Sequence, residues 1–393
     1  MAETDFDQRI PREQTGAVKF DARQAVFGRQ DVIPLWVADM DFAAPEAVTE
    51  ALVARARHPV YGYSLFADSL YQAMIGWFRD RHGWTIEREW ILMAPGVVPS
   101  LHAAAMAFSE PGEAVVIQPP VYPPFFGAVE KTGRRVMENP LRRVGGRYEF
   151  DLAHLAECAE AGARLLLLCS PHNPVGRVWR PEELDAVLAI AREHDMVVLS
   201  DEIHADLVFP DSHRHTVLAR RPGADEVVVT AVAPSKSFNI PGLGLSALVV
   251  PNPRHRAALR QVFDTMHMVH CNPFSAAAFE AGYRHGGSWL DRLLAYLREN
   301  RDWACRFIAE RVPGIEAVKP EGTYLLWLDC QRLGLSDAEL KRFFIRQAGL
   351  GLNPGLSFGT AGSGYMRLNL GTPRAVLKAA LTQLATAVAQ LPR

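Results

Sequence analysis

Four segments in the sequence each begin just after a short apolar run, and three of them carry the side chains best suited to chemistry. The segments are residues 96–98, 170–174, 200–204 and 233–239. In open α/β sheets, ligands bind beyond the carboxyl ends of the strands, so these segments can share one site. Lys236 supplies an amine, and Asp201 directly follows an apolar run, where an unpaired carboxylate is costly. The segments therefore predict a site that combines an amine with a buried carboxylate.

The first of these segments could bind a phosphate. Gly96, Val97 and Val98 open an apolar helical pattern that continues through Phe108. Backbone N–H groups at the start of a helix bind anions, so this segment can hold a phosphate group. Most helix starts, however, bind no ligand. Each of the other three segments, taken singly, is explained as well by a turn or a surface charge. The functional interpretation therefore depends on the four segments acting together.

The elements that position these residues alternate between strand-like and helix-like patterns. Short apolar runs, typical of buried parallel strands, occur at 113–118, 164–169, 196–200 and 226–233. A helix from Pro181 to about His194 joins the second run to the third, which predicts a βαβ unit. A long helical pattern over 289–311 and a strand-like run over 323–328 begin a second alternating region.

These patterns predict an α/β protein. We expect a large domain, with a mostly parallel sheet sandwiched by helices, and a smaller C-terminal α/β domain. The predicted boundaries are an N-terminal arm at 1–45, the large domain at 46–286 and the small domain at 287–393.

Composition argues against several other classes of protein. The 393 residues include 42 Lys+Arg and 44 Asp+Glu, for a formal net charge of −2, so nothing favours nucleic acid or an anionic membrane as a partner. The apolar runs are much shorter than the ~20 residues that cross a bilayer. The charged N-terminus does not resemble an export signal, so we expect a cytoplasmic protein. Five cysteines without Cys-x-x-Cys spacing argue against a disulfide framework.

We also predict no metal site. His213 with His215, and His267 with His270, have spacings that a metal could use. Neither pair has a nearby set of cysteines or carboxylates to complete the coordination, so we interpret both pairs as structural.

Taken together, the motifs resemble those of the fold-type-I pyridoxal-phosphate enzymes of the aminotransferase class I/II superfamily. Within that superfamily they are most similar to the cystathionine β-lyase-like C–S lyases, the MalY/PatB group. The similar segments are, in order, WVADMDF, CSPHNPVGRVW, SDEIH, SKSFNIPGL and GYMRLNLG. The spacings also agree: 28 residues from Asn173 to Asp201, 35 from Asp201 to Lys236 and 131 from Lys236 to Arg367. The resemblance covers essentially the whole chain and implies fold type I.

The resemblance implies pyridoxal 5′-phosphate as the cofactor and assigns residues around its ring. Lys236 is expected to form a Schiff base with the cofactor and to act as a general base in its neutral form. Asp201 is expected to pair with the protonated ring nitrogen, and Asn173 to bind the 3-hydroxyl group and help orient the substrate. His204 is expected to support the same side of the ring, and Tyr122 to stack on it.

The remaining assignments concern the substrate and the phosphate. Arg367 matches the residue that binds the substrate α-carboxylate, for which the fork of a guanidinium is suited. The phosphate is assigned to Gly96, Val97, Val98 and Ser235. Tyr63 matches a tyrosine that reaches the neighbouring subunit's cofactor phosphate, which implies a homodimer with shared active sites.

One position departs from the family pattern. Ala233 stands where a phosphate-binding Ser or Thr is usual, three residues before the lysine, and Gly244 stands near the usual place of a phosphate-binding arginine. We hypothesise that the cofactor is held less tightly than the family pattern implies. Cofactor dissociation constants of the wild type and Ala233→Ser test this, and equal values would refute it.

The implied activity is that of a C–S lyase acting on cystathionine or a related cysteine S-conjugate. Loss of the Cα proton and of the sulfur group from Cβ gives a thiol, and hydrolysis then gives pyruvate and ammonia. An aminotransferase of class I/II, which uses the same lysine and cofactor, is the alternative. A catalytically silent binding protein with this fold is a third possibility, although Lys236, Asp201, Asn173 and Arg367 are all retained. We find no second arginine whose position marks a site for a distal carboxylate.

Overall fold

The structure is a computed structural model that describes residues 4–268 and 270–391. Fifteen α-helices lie within these residues: α1 Val18–Asp21, α2 Arg23–Phe27, α3 Glu46–Arg57, α4 Asp68–His82, α5 Val97–Phe108, α6 Pro124–Glu130, α7 Leu152–Glu160, α8 Pro181–Glu193, α9 Ala224–Val227, α10 Pro234–Ser237, α11 Pro253–Thr265, α12 Pro273–His285, α13 Gly287–Arg311, α14 Asp337–Arg346 and α15 Arg374–Ala389. None of these described helices is both long and apolar enough to cross a membrane.

The same residues form fifteen strands: β1 Ile33–Pro34, β2 Ile91–Ala94, β3 Ala114–Ile117, β4 Arg135–Glu138, β5 Arg142–Val144, β6 Arg147–Glu149, β7 Leu165–Cys169, β8 Val197–Asp201, β9 Val228–Val232, β10 Ser246–Val249, β11 Glu316–Val318, β12 Leu325–Asp329, β13 Leu350–Gly351, β14 Asn353–Pro354 and β15 Tyr365–Asn369. Seven of them form the main sheet, in the order β2-β10-β9-β8-β7-β3-β4.

The main sheet is mostly parallel and is covered on both faces. Only β10 runs antiparallel to its neighbours, β2 and β9. Along β7, Leu166 and Leu168 pack in a core with α7 and α8, whereas Leu165 and Leu167 pack in a core with α5, α6 and α11. A strand buried on both faces needs a continuous apolar run, which is why β7 consists of four leucines and a cysteine. The predicted α/β fold with a mostly parallel sheet is confirmed.

A second, antiparallel sheet has the strand order β11-β12-β15-β14 and packs with the C-terminal helices. Helix α13 connects the two parts of the molecule, because Leu290 and Leu293 lie in a core with α4 and α12, while Ala304 and Ile308 lie in a core with α14 and α15. Since one helix belongs to both cores, the predicted domain boundary between residues 286 and 287 stays a prediction.

Two predicted strands begin two residues later than the sequence patterns indicated. The run at 226–233 begins as a strand only at Val228, because Asp225 and Glu226 are exposed and lie in the one-turn helix α9. The run at 323–328 begins as a strand at Leu325, because Thr323 has φ +67° and its hydroxyl accepts a hydrogen bond from the Leu325 N–H (3.1 Å).

The first residues of the chain pack against both parts of the molecule. Phe6 lies edge-on to Phe42 and Trp289, with ring centroids 5.2 and 5.7 Å away. Further along, β1 pairs in parallel with β13, which follows α14. The division into an N-terminal arm at 1–45 and a large domain from residue 46 stays a prediction.

Candidate active site

The carboxyl ends of three neighbouring parallel strands bring the predicted residues together. Asp201 ends β8, and its Cα lies opposite Cys169 of β7 and Ala231 of β9 in the sheet register. The loop after β7 carries Asn173, and helix α10, which carries Lys236, begins two residues after β9. Segments far apart in sequence therefore converge at one edge of the sheet.

The Lys236 amine lies in a largely desolvated place. Its Nζ donates a hydrogen bond to the Ala38 carbonyl at 2.6 Å. Burial lowers the pKa of Lys236 to about 8; the nearby charge of Arg367 lowers it further, whereas Asp39 and Asp201 oppose the shift. The amine is therefore half neutral near pH 8, and only the neutral form can act as a nucleophile or a base.

Asp201 is a buried carboxylate that lacks a close ionic partner in the described chain. It accepts a hydrogen bond from the Ile203 N–H at 3.1 Å. Burial raises the pKa of Asp201 to about 7, although the Ile203 N–H opposes the shift; the adjacent Glu202 raises it further and Lys236 lowers it. The site thus holds a carboxylate whose ionised form would be stabilised by a cation.

Arg367 is buried among neutral oxygens. Its Nη1 donates to Asn173 Oδ1 at 3.0 Å, and its Nη2 donates to the Trp36 carbonyl and to Asn353 Oδ1, both at 2.8 Å. The Arg367 Nε has no partner, and no carboxylate among the described residues forms an ion pair with this side chain. Burial lowers the pKa of Arg367 to about 10. A buried guanidinium without a counterion is a receptor for an anion.

His204 and Tyr122 lie close to these charges. Burial lowers the pKa of His204 to about 3, and the charges of Lys236 and Arg367 lower it further, so the imidazole is neutral. Its Nδ1 is buried without a partner. Burial raises the pKa of Tyr122, which also responds to the charges of Arg367 and Asp201. Tyr122 therefore lies near both Arg367 and Asp201.

The segments assigned to the phosphate adjoin the lysine loop. Gly96 is the N-cap of α5, and no side chain caps that helix, so the first N–H groups are free to bind an anion. Val97 and Val98 supply two of these groups. A Cβ added at Gly244, beyond Lys236, would lie 3.1 Å from the Pro95 carbonyl, so the loop after the lysine approaches this helix start. Ser235, in α10, is partly exposed next to Lys236.

Two other sets of predicted residues lie apart from this cluster. Tyr63 is fully exposed, so the structure does not bring it into the site of its own chain. His213 Nε2 donates to the Val178 carbonyl at 2.7 Å, and His215 Nε2 lies 2.7 Å from Glu202 Oε2. Within the described residues, no group of three or more His, Cys, Asp or Glu is arranged to hold a metal ion.

Sequence analysis missed the backbone that closes the site. We call residues 36–41 the strap. Its carbonyls accept hydrogen bonds from Arg367 and Lys236, as above, and the Ala38 carbonyl also accepts one from the Tyr324 hydroxyl at 2.7 Å. Asn369 Nδ2 donates to the strap carbonyls of Val37 and Asp39, both at 2.7 Å. The strap coincides with most of the WVADMDF motif, but a backbone carbonyl gives no signal in residue type.

Comparisons with known proteins agree with this architecture. The family model for aminotransferase class I and II matches residues 30–384. Cystathionine beta-lyase PatB of Bacillus subtilis is 42% identical, over 98% of this chain and 99% of its own length. Protein MalY of Escherichia coli is 32% identical, over 98% of each chain. Cystalysin from Treponema denticola, whose crystal structure contains pyridoxal 5′-phosphate, superposes with a TM-score of 0.96 at 34% identity and full coverage of both chains. The chain therefore belongs to the aminotransferase class I and II family.

Proposed function

We propose that this protein is a pyridoxal-phosphate-dependent C–S β-lyase that converts cystathionine or a related cysteine S-conjugate to pyruvate, ammonia and a thiol. The observation that carries the proposal is the buried Arg367 guanidinium, which lies near Lys236 and has neutral oxygens as its hydrogen-bond partners. It fits the α-carboxylate of an amino acid. The similarity to a relative named cystathionine beta-lyase supports lyase chemistry over transamination.

The residues present fit pyridoxal phosphate. Asp201 is a buried carboxylate in need of a cation, which a protonated ring nitrogen supplies. His204 Nδ1, buried and without a partner, borders the same place. Lys236 offers an amine, and the uncapped start of α5 offers N–H groups for the phosphate. We assign Gly96, Val97, Val98, Ser235, Tyr122 and Asn173 to the remaining contacts with the cofactor.

The mechanism follows from how these side chains handle charge and protons. When bound, the cofactor supplies an electron sink for the negative charge that develops at the substrate Cα. Arg367 binds the substrate carboxylate through its positive charge and its unpartnered Nε–H, which helps to fix the direction of the Cα–H bond. Lys236 Nζ accepts the Cα proton, and its pKa of about 8 makes the neutral base available near physiological pH. Asp201 stays ionised when it faces a positive charge.

The test supplies cystathionine to the loaded enzyme in the absence of any keto acid. We expect pyruvate and free thiol to appear in equal amounts over many turnovers. A single turnover that stalls until a keto acid is added would identify an aminotransferase instead. Lys236→Ala is the control, because it removes the amine that we assign to the cofactor and to the Cα proton, and we expect it to abolish turnover.

We also propose that two copies of this chain form a homodimer with shared active sites. Val60, Tyr61, Tyr63 and Leu65 are 64, 60, 107 and 90% exposed, so one short segment presents four large apolar or aromatic side chains to solvent. Contiguous exposed apolar surface is typical of protein–protein contacts. In this arrangement, Tyr63 binds the cofactor phosphate of the partner subunit.

A further inference from the structure

A second buried carboxylate, outside the set of predicted site residues, anchors the segment that carries the lysine. Asp206 Oδ2 accepts a hydrogen bond from the Ser237 hydroxyl at 2.6 Å. Asp206 Oδ1 lies 2.7 Å from His82 Nε2 and accepts a hydrogen bond from Trp77 Nε1 at 3.1 Å. The Arg81 Nε is 3.8 Å away. Asp206 therefore gathers donors from α4 and from α10.

These contacts are shielded from water. The side chains of Asp206 and His82 are only 5 and 6% exposed, although both border a cleft of about 1500 Å³ between α4 and the 205–216 loop. Burial acts to raise the pKa of Asp206, but the hydrogen bonds from His82 and Ser237 and the charges of His82 and Arg81 lower it overall. A buried, ionised carboxylate makes stronger hydrogen bonds than one exposed to water.

The residue that Asp206 binds is adjacent in sequence to the reacting lysine. Ser237 directly follows Lys236 in α10, a helix of only four residues that cannot hold its own position. Next to Ser237, Phe238 packs edge-on against Trp77, with ring centroids 5.4 Å apart. The main chain of Lys236 is thus tied to α4 on one side, whereas its Nζ donates a hydrogen bond to the strap carbonyl of Ala38 on the other.

We propose that Asp206 and Ser237 are positioning residues, which fix the main chain of Lys236 so that its amine meets the cofactor and the substrate Cα. A lysine side chain has four rotatable bonds, so the reach of Nζ is defined only if its Cα is held. Displacing a reacting group by about 1 Å can cost roughly 100-fold in rate. This inference rests on the proposed function, because it assigns Lys236 as the reacting amine.

The test measures how fast apo-protein captures pyridoxal 5′-phosphate, followed by the visible absorption of the covalent product. We expect Ser237→Ala to slow this capture by about 10- to 100-fold. The dissociation constant of pyridoxine 5′-phosphate, which has no aldehyde and forms no covalent bond, stays unchanged. With cystathionine, kcat falls by a similar factor while KM is retained.

Two controls separate positioning from loss of stability. His82→Phe removes another polar partner of Asp206, and the His82 ring packs against Phe78 and His215, which lie outside the lysine segment. Ser109→Ala removes a buried serine hydroxyl that bonds only its own helix and Arg134. We expect both controls to capture the cofactor at the wild-type rate, whatever their melting temperatures.

The proposal is overturned if Ser237→Ala captures the cofactor normally. It is also overturned if the control variants slow cofactor capture in proportion to their loss of stability. A third contrary outcome is that Ser237→Ala weakens the binding of pyridoxine 5′-phosphate by the same factor by which it slows capture. Failure of the proposed function looks different, because the wild type would then capture the cofactor but release no thiol.

Discussion

At the scale of the residue, the environment of Arg367 is the most informative feature of the site. Three neutral oxygens, from Asn173, Asn353 and the Trp36 carbonyl, orient the guanidinium without neutralising it. A carboxylate partner from the protein would compete with the substrate for the same fork. The protein therefore keeps this cation positioned but uncompensated, which favours an anionic substrate group over water.

Replacing Arg367 with alanine removes the carboxylate receptor and its hydrogen bond to Asn173, but leaves Lys236, Asp201 and the residues assigned to the phosphate in place. We expect kcat/KM to fall by about 10- to 150-fold, the scale of a lost charge-assisted hydrogen bond, while the absorption spectrum of the bound cofactor is retained. Arg367→Lys keeps the positive charge but loses the planar guanidinium, so we expect its kcat/KM to lie between the values of the wild type and Arg367→Ala. Unchanged kinetics in both variants would place Arg367 outside the substrate site.

The pKa of Lys236 gives a pH dependence with a definite sign. Its neutral amine is the reactive form, so the rate at which apo-protein captures pyridoxal 5′-phosphate rises with pH through a midpoint at about pH 8 and levels off above it, once the amine is fully neutral. The charge of Arg367 contributes to the lowered pKa, so Arg367→Ala moves the midpoint to higher pH. Stopped-flow absorbance across a pH series measures both midpoints. A midpoint near that of an ordinary lysine would contradict the desolvated environment.

At the scale of the element, the strap joins the reacting groups to the start of the chain. Its Asp39 and Asp41 carboxylates share Arg12 and Lys19, with distances of 2.7 Å from Arg12 to each and 3.0 Å from Lys19 to Asp41. The Lys19 side chain is completely buried. Because the strap carbonyls contact Arg367 and Lys236, this cluster of four charges holds the wall of the site.

Lys19→Met tests this cluster, because it removes a buried cation and leaves two carboxylates with Arg12 alone. We expect the free energy of unfolding to fall by about 3 kcal/mol, within the range for breaking a buried ion pair. Lys341→Met is the matched control, since Lys341 is exposed on α14, and we expect a change below about 0.5 kcal/mol. Urea denaturation of the two variants makes the comparison; equal changes would show that Lys19 contributes no more than a surface charge.

The elements differ in how far the sequence predicts them. Apolar runs identified β7 and β8 because strands buried on both faces consist mainly of consecutive apolar residues, and residues at the carboxyl ends of such strands converge. The roles of the strap and of Ser237 could not be predicted from the sequence. The strap acts through carbonyls that every residue possesses, and Ser237 acts by way of Asp206, whose partners His82 and Trp77 are more than 120 residues away.

At the scale of the whole molecule, the exposed segment with Val60, Tyr61, Tyr63 and Leu65 is expected to lie in the dimer interface. Leu65→Asp places a charge on this apolar surface, so we expect the dimer to dissociate at concentrations where the wild type stays dimeric. Val144→Asp is the control, because Val144 is 48% exposed on the separate β5–β6 hairpin. Sedimentation equilibrium measures the association constants, and equal constants for Leu65→Asp and wild type would remove this segment from the interface.

Shared sites make a sharper prediction, because two defective chains can complement each other. Lys236→Ala lacks the amine, and Tyr63→Ala lacks the side chain offered to the partner's phosphate. In a mixed dimer, the Tyr63→Ala chain keeps its own Lys236 and receives an intact Tyr63 from its partner, so one complete site forms. After random reassociation of equal amounts, about a quarter of all sites are complete. We expect activity at limiting cofactor to rise toward that fraction on mixing. If Tyr63 served its own chain, no mixed dimer would contain a complete site, and mixing would restore nothing.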